Sequence, residues 1–121
     1  MSVGQCDPDH FMIAKFLNSN FECNIIRINS TDEAIDALLN LSVDYVLINR
    51  KLDIDYTDGI LLIEKMKNDS RLKDIPVSII SNYPEFQEEA VKFGAIRGFG
   101  KAELSLTKTK EQVAKILNLT V

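Results

Sequence analysis

Two short apolar runs, at residues 45–48 and 77–80, constrain the possible folds of this chain more than any other feature. Both are nearly continuous instead of alternating between apolar and polar residues, which is typical of parallel strands covered on both faces of a sheet. Segments with helical periodicity separate them from each other and from weaker strand candidates. The sequence therefore predicts an α/β domain whose strands at residues 45–49 and 77–81 lie at the centre of a doubly wound parallel sheet.

Local signals predict the other elements along the chain. We expect them at these positions: strands at residues 2–6, 23–28 and 97–100, and helices at residues 9–17, 30–41, 60–66, 85–93 and 107–117. Ser30 and Glu33 have the spacing of a capping box at the start of the second helix, and Gly94 suits the end of the fourth. No low-complexity tract or proline-rich linker interrupts this order, so we expect one domain spanning residues 1–121.

The composition narrows the possible functions. Basic residues number 14 against 18 acidic ones, a net charge of -4, and they are scattered, so direct binding to nucleic acid is disfavoured. No apolar run approaches the roughly 20 residues that cross a bilayer, and residues 1–5 do not resemble a secretory signal. We therefore expect a cytoplasmic location without membrane contact. Cys6 and Cys23 lack metal-ligand spacing, and we expect both to be reduced and buried.

Polar or reactive side chains follow several of the predicted strands. The residues that lie at or just beyond the carboxyl end of a strand are Cys6, Asn49, Ser81 and Lys101. In open parallel sheets, ligands bind outside these ends, at the point where the strand order reverses. We therefore expect these four side chains to converge on one pocket, although they are far apart in sequence.

Several short motifs indicate a family. They are Asp7-Pro8-Asp9 after the first strand, residues 43–48 in the third strand, Asp58-Gly59-Ile60 at a helix entry, residues 74–77 at the fourth strand, and Gly94-Ala95 before the last strand. With these motifs the chain resembles the receiver domain of two-component response regulators over essentially its whole length. The resemblance implies a CheY-like, flavodoxin-like fold, in which a five-stranded parallel sheet has the order 2-1-3-4-5 and carries five helices.

The resemblance also implies a phosphorylation site, in which an acidic pair and an acceptor aspartate hold magnesium beside a hydroxyl residue and a lysine. The residues at these positions are Gln5 and Cys6 for the acidic pair, with Asp7 just after it, Asn49 for the acceptor, Ser81 for the hydroxyl and Lys101 for the lysine. An amide oxygen is a poor nucleophile toward phosphorus, and magnesium favours carboxylate ligands. The resemblance thus implies a degenerate pocket with no metal, no cofactor and no catalytic residue.

Two residues of this pocket have simpler roles open to them. We expect Lys101 to face the pocket, although it could also extend into solvent or bridge to Asp7. Ser81, which Asn82 follows, could equally mark a turn or the start of a helix.

The predicted function is that of a pseudo-receiver, a signalling module that is not an enzyme and acts by phosphorylation-independent binding of a protein partner. That partner would be a signalling kinase, an output domain or a regulator. Two alternatives stay open. Asp53, Asp55 or Asp58, in or just after the loop at residues 50–57, could replace the missing acceptor with magnesium, with Asp53 and Asp55 the first candidates, although acidic residues in such loops more often form a solvated turn. Lys101 and Ser81 could instead hold a small anion.

The sequence also predicts how surface and core divide. Gly98 stands where receivers carry a switch aromatic, Ala102 stands where they carry a proline, and we expect Phe99 to lie in the core. The usual partner face of the family, formed by the fourth helix, fifth strand and fifth helix, includes Glu85, Gln87, Glu88, Lys92, Arg97 and residues near Lys108.

The first helix has more apolar residues than one face can bury. Its core stripe is predicted to be Ile13, Ala14 and Leu17. Phe11, with Met12 or Phe16, is then left exposed, which suggests either a contact with a partner or a homodimer, or else broader packing within the chain.

Overall fold

The structure, a computed structural model that describes residues 1–118, contains a parallel sheet and five helices. Its strands are β1 (Ser2–Val3), β2 (Arg27–Ile28), β3 (Val46–Asn49) and β4 (Val77–Ile80). Its helices are α1 (Asp7–Asn20), α2 (Thr31–Asn40), α3 (Ile60–Lys67), α4 (Pro84–Lys92) and α5 (Thr107–Ile116), and a 3-10 turn (Lys101–Glu103) precedes α5. The predicted α/β class is confirmed. None of the helices in this described part is long and apolar enough to cross a membrane.

The strands lie in the order β2-β1-β3-β4, and every neighbouring pair is parallel. Val3 of β1 lies between Ile28 and Ile48, and Asn49 of β3 lies beside Ile80 of β4. This arrangement confirms the predicted order for the four strands. β1 and β2 are only two residues long, shorter than predicted, because a strand extends only as far as its neighbours pair with it.

The predicted fifth strand, residues 97–100, is reduced to a single parallel bridge between Ile80 and Phe99. The segment still runs beside β4, at the outer edge where the predicted order places it. The Gly98 N–H, however, donates to the side chain of Gln87. The Gln87 side chain therefore takes the place of a backbone hydrogen bond that a regular fifth strand would make with β4.

The sheet separates two apolar clusters. Alternate residues of a strand point to opposite faces, so Val46 and Ile48 pack with α2, α3 and α4, whereas Leu47 and Ile80 pack with α1 and α5. Phe99 joins the second cluster and is 1% exposed, which confirms its predicted place in the core. Because helices cover both faces, β3 and β4 are buried on both sides, and this explains their nearly continuous apolar runs. The prediction that both strands lie at the centre holds for β3, whereas β4 is the last strand of the four-stranded sheet.

α1 is longer than predicted and buries a different stripe. Its buried residues are Ile13, Phe16 and Leu17. The prediction that Ala14 belongs to the core stripe is wrong, because this side chain is only partly buried. Phe16 is not exposed, since its ring packs with the ring of Phe99 at a centroid distance of 6.0 Å. Phe11 and Met12 are exposed, with 63% and 47% of their surface accessible, as predicted.

Two further predictions about burial need correction. Gln87 does not lie on the partner face, because it is 3% exposed and its amide is bonded inside the structure. Cys6 and Cys23 are free thiols, but each is partly buried instead of fully buried. Helical periodicity places a residue on a face, yet it does not reveal whether a polar side chain finds partners there.

The helix ends follow the predicted signals in part. The Glu33 N–H donates to Ser30 Oγ at 3.2 Å at the start of α2, as in a capping box. The Glu33 carboxylate accepts from the Ser30 hydroxyl at 3.0 Å instead of from the backbone, so only half of the box forms. Gly94 follows α4 with a φ of +104°, in the left-handed region that favours glycine.

Candidate functional site

The carboxyl ends of β1, β3 and β4 meet at one edge of the sheet. Asn49 ends β3 beside Ile80, so Ser81 follows β4 at the same edge. Gln5 lies two residues beyond Val3, the last residue of β1. The structure therefore brings these predicted site residues to one edge, where ligands bind in open parallel sheets. Their side chains differ in what they contact there.

Asn49 holds the loop that follows β3. Its Nδ2 donates to the Lys51 carbonyl at 2.6 Å. The loop folds back through an antiparallel bridge between Lys51 and Asp58, and the Leu52 side chain anchors it with no exposed surface. An amide carries no charge, so Asn49 acts here through hydrogen bonding alone.

Lys101 turns toward α1 and forms an ion pair there. Its Nζ lies 2.7 Å from Oδ2 of Asp9, and the two side chains are 35% and 17% exposed. The partner is thus Asp9 and not Asp7, the residue that the sequence suggested. Asp9 was missed because 92 positions separate it from Lys101. In the sequence, Asp9 was marked only by its position in the first turn of α1, which starts at this edge of the sheet.

Asp7 pairs with β2 instead. Arg27 Nη2 lies 2.6 Å from Asp7 Oδ1 and 3.2 Å from the backbone carbonyl oxygen of Gln5. Both carboxylates in the first turn of α1 are therefore held by cations. A shallow depression of about 340 Å³ lies beside the Arg27 pair, and its lining residues are Gly4, Gln5, Asp7, Arg27, Asn29, Asp53 and Ile54.

The two residues at the positions of the acidic pair offer no carboxylate. Gln5 is 2% exposed, and within residues 1–118 neither its Oε1 nor its Nε2 has a hydrogen-bond partner. Burying a polar group without a partner costs about 1–3 kcal/mol. Cys6 directly precedes α1, and its side chain makes no capping hydrogen bond. Neither side chain therefore supplies the carboxylate by which magnesium is usually bound.

Ser81 forms the turn into α4. Its Oγ accepts from the Tyr83 N–H at 3.2 Å, which is the turn role that the sequence left open. The next residue, Asn82, reaches across the edge, where its Oδ1 accepts from the Ala102 N–H at 3.0 Å. The hydroxyl thus stabilises a local turn.

The acidic loop after β3 is largely a structural turn. Asp55 Oδ1 accepts from the Thr57 N–H at 2.9 Å, and this hydrogen bond lowers the pKa of the Asp55 carboxyl. Asp58 Oδ1 accepts from the Ile60 N–H at 3.0 Å at the start of α3. Of the three loop carboxylates, only Asp53 lines the depression.

The side chains at this edge do not fit magnesium, which takes oxygen ligands that usually include one or two free carboxylates. Gln5 and Asn49 carry neutral amides, and Cys6 carries a thiol. The carboxylates of Asp7 and Asp9 already face cations. Across residues 1–118, no group of three or more His, Cys, Asp or Glu side chains is placed to hold a metal ion.

The architecture matches solved structures. The signal receiver domain of a DNA binding response regulator protein (merR) from Colwellia psychrerythraea 34H matches with a TM-score of 0.77 at 20% identity, over 97% of this chain and 95% of that one. The chain has the receiver-domain fold. The receiver domain of NtrX from Brucella abortus has a TM-score of 0.69 at 18% identity over 98% of both chains. A longer NtrX structure from that organism has a TM-score of 0.68 at 19% identity, over 98% of this chain and 28% of that one.

No protein-family model and no curated protein sequence matches the chain. At 18 to 20% identity, the solved structures establish the receiver fold but not an activity. The receiver fold places the strand ends at one edge. What happens at that edge depends on the side chains found there.

Proposed function

We propose that this chain is a pseudo-receiver, a module that transmits signals by binding a protein partner without being phosphorylated and without catalysing a reaction. Its receiver fold supports a role in signal transduction. The observation that carries the proposal is Asn49 at the end of β3, where an amide that donates to the Lys51 carbonyl stands in the acceptor position. An uncharged amide oxygen is a poor nucleophile, so it does not form the acyl phosphate that an aspartate forms.

The charges near Asn49 support the same proposal. Phosphoryl transfer depends on cations that face the charge developing on the phosphoryl oxygens. Lys101 is neutralised by Asp9 at 2.7 Å, and Arg27 is neutralised by Asp7 at 2.6 Å. A phosphoryl group would have to compete with a carboxylate for either cation. The same two pairs argue against a small-anion sensor at this edge.

The face formed by α4, segment 96–100 and α5 is the proposed partner face. Its exposed charged residues have both signs and include Glu85, Glu88, Lys92, Arg97 and Lys108. Val91 and Ile96 add exposed apolar surface, at 45% and 41%. A mixed surface of this kind suits recognition of another protein, in which charges set specificity and apolar contacts add affinity. The proposed partner is a signalling kinase, an output domain or a regulator.

The test is the intact mass of the protein after incubation with acetyl phosphate and magnesium, with a phosphorylatable receiver run in parallel. We expect no phosphoryl adduct on the wild-type chain. We also expect none on Asn49→Asp, because Gln5 and Cys6 still supply no carboxylate. The triple variant Gln5→Asp/Cys6→Asp/Asn49→Asp restores three carboxylates beside an unchanged Lys101 and should gain an adduct.

These variants separate two causes of inactivity. Labelling of Asn49→Asp alone would contradict the argument from the missing acidic pair. An unlabelled triple variant would assign the inactivity to the pairing of Lys101 with Asp9, which Asp9→Asn in the same background then tests. A magnesium-dependent adduct on the wild-type chain would overturn the proposal.

Such an adduct would favour a second candidate function, phosphorylation at a substitute aspartate. Asp53 is the residue to examine first, because it is exposed and lines the depression beside Arg27. Asp53→Asn should then abolish the adduct. Asp55→Asn is the matched control in the same loop, since the Asp55 carboxylate already accepts from the Thr57 N–H.

A further inference from the structure

Segment 96–100 meets β4 through a side chain in the middle of their contact. Backbone hydrogen bonds join the two at Ile96, whose N–H donates to β4 at 2.8 Å, and at Phe99, whose carbonyl accepts at 3.1 Å. Regular parallel pairing would have the Gly98 N–H donate to the Ile79 carbonyl between these two points. In this structure the Gly98 N–H instead donates to a side chain.

Gln87 of α4 occupies the gap. Its Oε1 accepts from the Gly98 N–H at 2.8 Å, and its Nε2 donates to the carbonyls of Ile79 and Ser81 at 3.1 and 3.0 Å. These two carbonyls are successive acceptors on the outer edge of β4, because alternate residues of a strand direct their backbone groups to the same side. One amide therefore satisfies both carbonyls and the facing N–H. Gln87 is 3% exposed, so water hardly competes for these bonds.

Gly98 makes this arrangement possible. A Cβ at this position would collide with the Ile79 carbonyl oxygen and would lie 3.0 Å from Ser78 Cβ and 3.3 Å from Gln87 Oε1. Any larger residue would push the segment away from β4. The glutamine and the glycine are thus complementary in shape and in hydrogen bonding.

A second glutamine holds the same segment from α5. Gln112 Nε2 donates to the Arg97 carbonyl at 2.6 Å and to the Gly98 carbonyl at 3.3 Å. The backbone of Gly98 is therefore bound through its N–H to α4 and through its carbonyl to α5. Asn82 adds an amide contact beyond the segment, to the Ala102 N–H.

We propose that Gln87 and Gln112 form a clamp that locks α4, segment 96–100 and α5 in one arrangement, so that the partner face is preset. This inference rests on the proposed function, because it concerns the same face. A preset face binds without the entropic cost of ordering it. A change in the face requires withdrawal of the Gln87 amide, which breaks three buried hydrogen bonds and allows only the Gly98 N–H and the Ile79 carbonyl to pair with each other in their place, so the alternative arrangement is rarely populated.

Amide hydrogen exchange and relaxation dispersion, measured by NMR on the chain without partner or acetyl phosphate, test the clamp. Gln87→Met keeps the length of the side chain and removes its three hydrogen bonds. We expect the Gly98 amide to exchange about tenfold faster or more than in the wild type, and dispersion to appear at Lys92 and Arg97, where we expect none in the wild type. Glu88→Gln, at the next position of α4 and exposed, is the matched control and should change neither readout.

Gln87→Glu should make the clamp depend on pH. A neutral carboxyl keeps one donor and one acceptor, whereas the ionised form has no donor and faces two carbonyls. Burial should raise the pKa of the introduced carboxyl above its ordinary value. Because the pKa is raised, the clamp is present at low pH and is lost as the pH rises through that value. Gly98 exchange, corrected for its intrinsic pH dependence, should accelerate between about pH 5 and about pH 8 in Gln87→Glu but not in Gln87→Met.

Three results would overturn the clamp. One is a folded Gln87→Met variant whose Gly98 exchange and dispersion match the wild type. Another is exchange that accelerates equally throughout β3 and β4, which would indicate global destabilisation. If Gln87→Met does not fold, Gln112→Met is the deciding variant, and the third result is the absence of relaxation dispersion at Arg97 in that variant, whose Arg97 and Gly98 carbonyls have lost the Gln112 amide. Because no phosphorylation is measured, failure of the clamp leaves the proposed function standing, and a phosphoryl adduct leaves the clamp standing.

Discussion

Burial alone does not decide whether a glutamine stabilises this chain. Gln5 and Gln87 are 2% and 3% exposed. The amide of Gln87 makes three hydrogen bonds, whereas the amide of Gln5 makes none within residues 1–118. The two residues have the same cost of desolvation, and only Gln87 recovers it through bonds to backbone groups.

The same substitution should therefore have opposite effects at the two positions. Gln5→Met removes an amide without a partner, and we expect the free energy of unfolding to stay equal or to rise by about 1 kcal/mol. Gln87→Met leaves backbone groups without partners inside the protein, and we expect a fall of about 2–4 kcal/mol. Urea unfolding of both variants measures the difference. A loss at Gln5 as large as that at Gln87 would contradict the assignment of the Gln5 amide as unpaired.

At the scale of elements, local signals predicted what does not depend on distant partners. The apolar runs identified β3 and β4, and Ser30 marked the start of α2, because burial on two faces and helix capping are properties of a short segment. The length of β1 and the loss of the fifth strand depend on which backbone groups meet across the sheet. A glycine inside a strand, such as Gly98, is one sign that the strand is irregular. The partner of Gly98, however, is Gln87, which lies on another element and could not be identified from the local sequence.

The 3-10 turn before α5 should make the stability of the chain depend on pH. Glu103 Oε1 accepts from the Gly100 N–H at 3.1 Å. This hydrogen bond, and secondarily the interaction with Lys108, lowers the pKa of the Glu103 carboxyl below its ordinary value of 4.5. A group with a depressed pKa in the folded state contributes stability above its unfolded pKa and loses it as the pH falls through the folded value.

We therefore expect Glu103→Gln to be less stable than the wild type above about pH 5, with a difference that shrinks as the pH falls below the depressed pKa of Glu103. Urea unfolding at a series of pH values measures this difference. Glu111→Gln, an exposed change in α5, is the control for the loss of one charge. A difference from the wild type that stays constant across the series would show that the Glu103 carboxylate is not the group responsible.

At the scale of the whole molecule, the exposed apolar side chains of α1 bear on self-association. Phe11 is 63% exposed, so we expect Phe11→Glu to change the free energy of unfolding by less than about 0.5 kcal/mol. If α1 forms a homodimer contact, the variant should have a lower mass than the wild type at high concentration, measured by sedimentation. Leu61→Glu, on α3 across the sheet, is the matched control and should leave the mass unchanged. A monomeric mass at every concentration would remove the homodimer hypothesis.

The candidate site divides in the same way between what the sequence predicted and what it did not. The order of the strands was implied by the resemblance to receiver domains, and it brings Gln5, Asn49 and Ser81 to one edge. The pairing of Lys101 with Asp9 could not be predicted from the sequence, because the partner of a long, flexible side chain depends on where the folded backbone places the other charged groups. The single-domain prediction for residues 1–121 stays a prediction.

Both edges of the sheet are poor templates for a strand from another molecule. At one edge, β2 is only two residues long. On the other side, segment 96–100 covers β4, and Gln87 already occupies the carbonyls of Ile79 and Ser81 there. Unpaired strand edges are where folded chains join into aggregates and fibres, and natural proteins protect them. The amide that we propose to preset the partner face therefore also protects this side of the sheet against pairing with another copy of the chain.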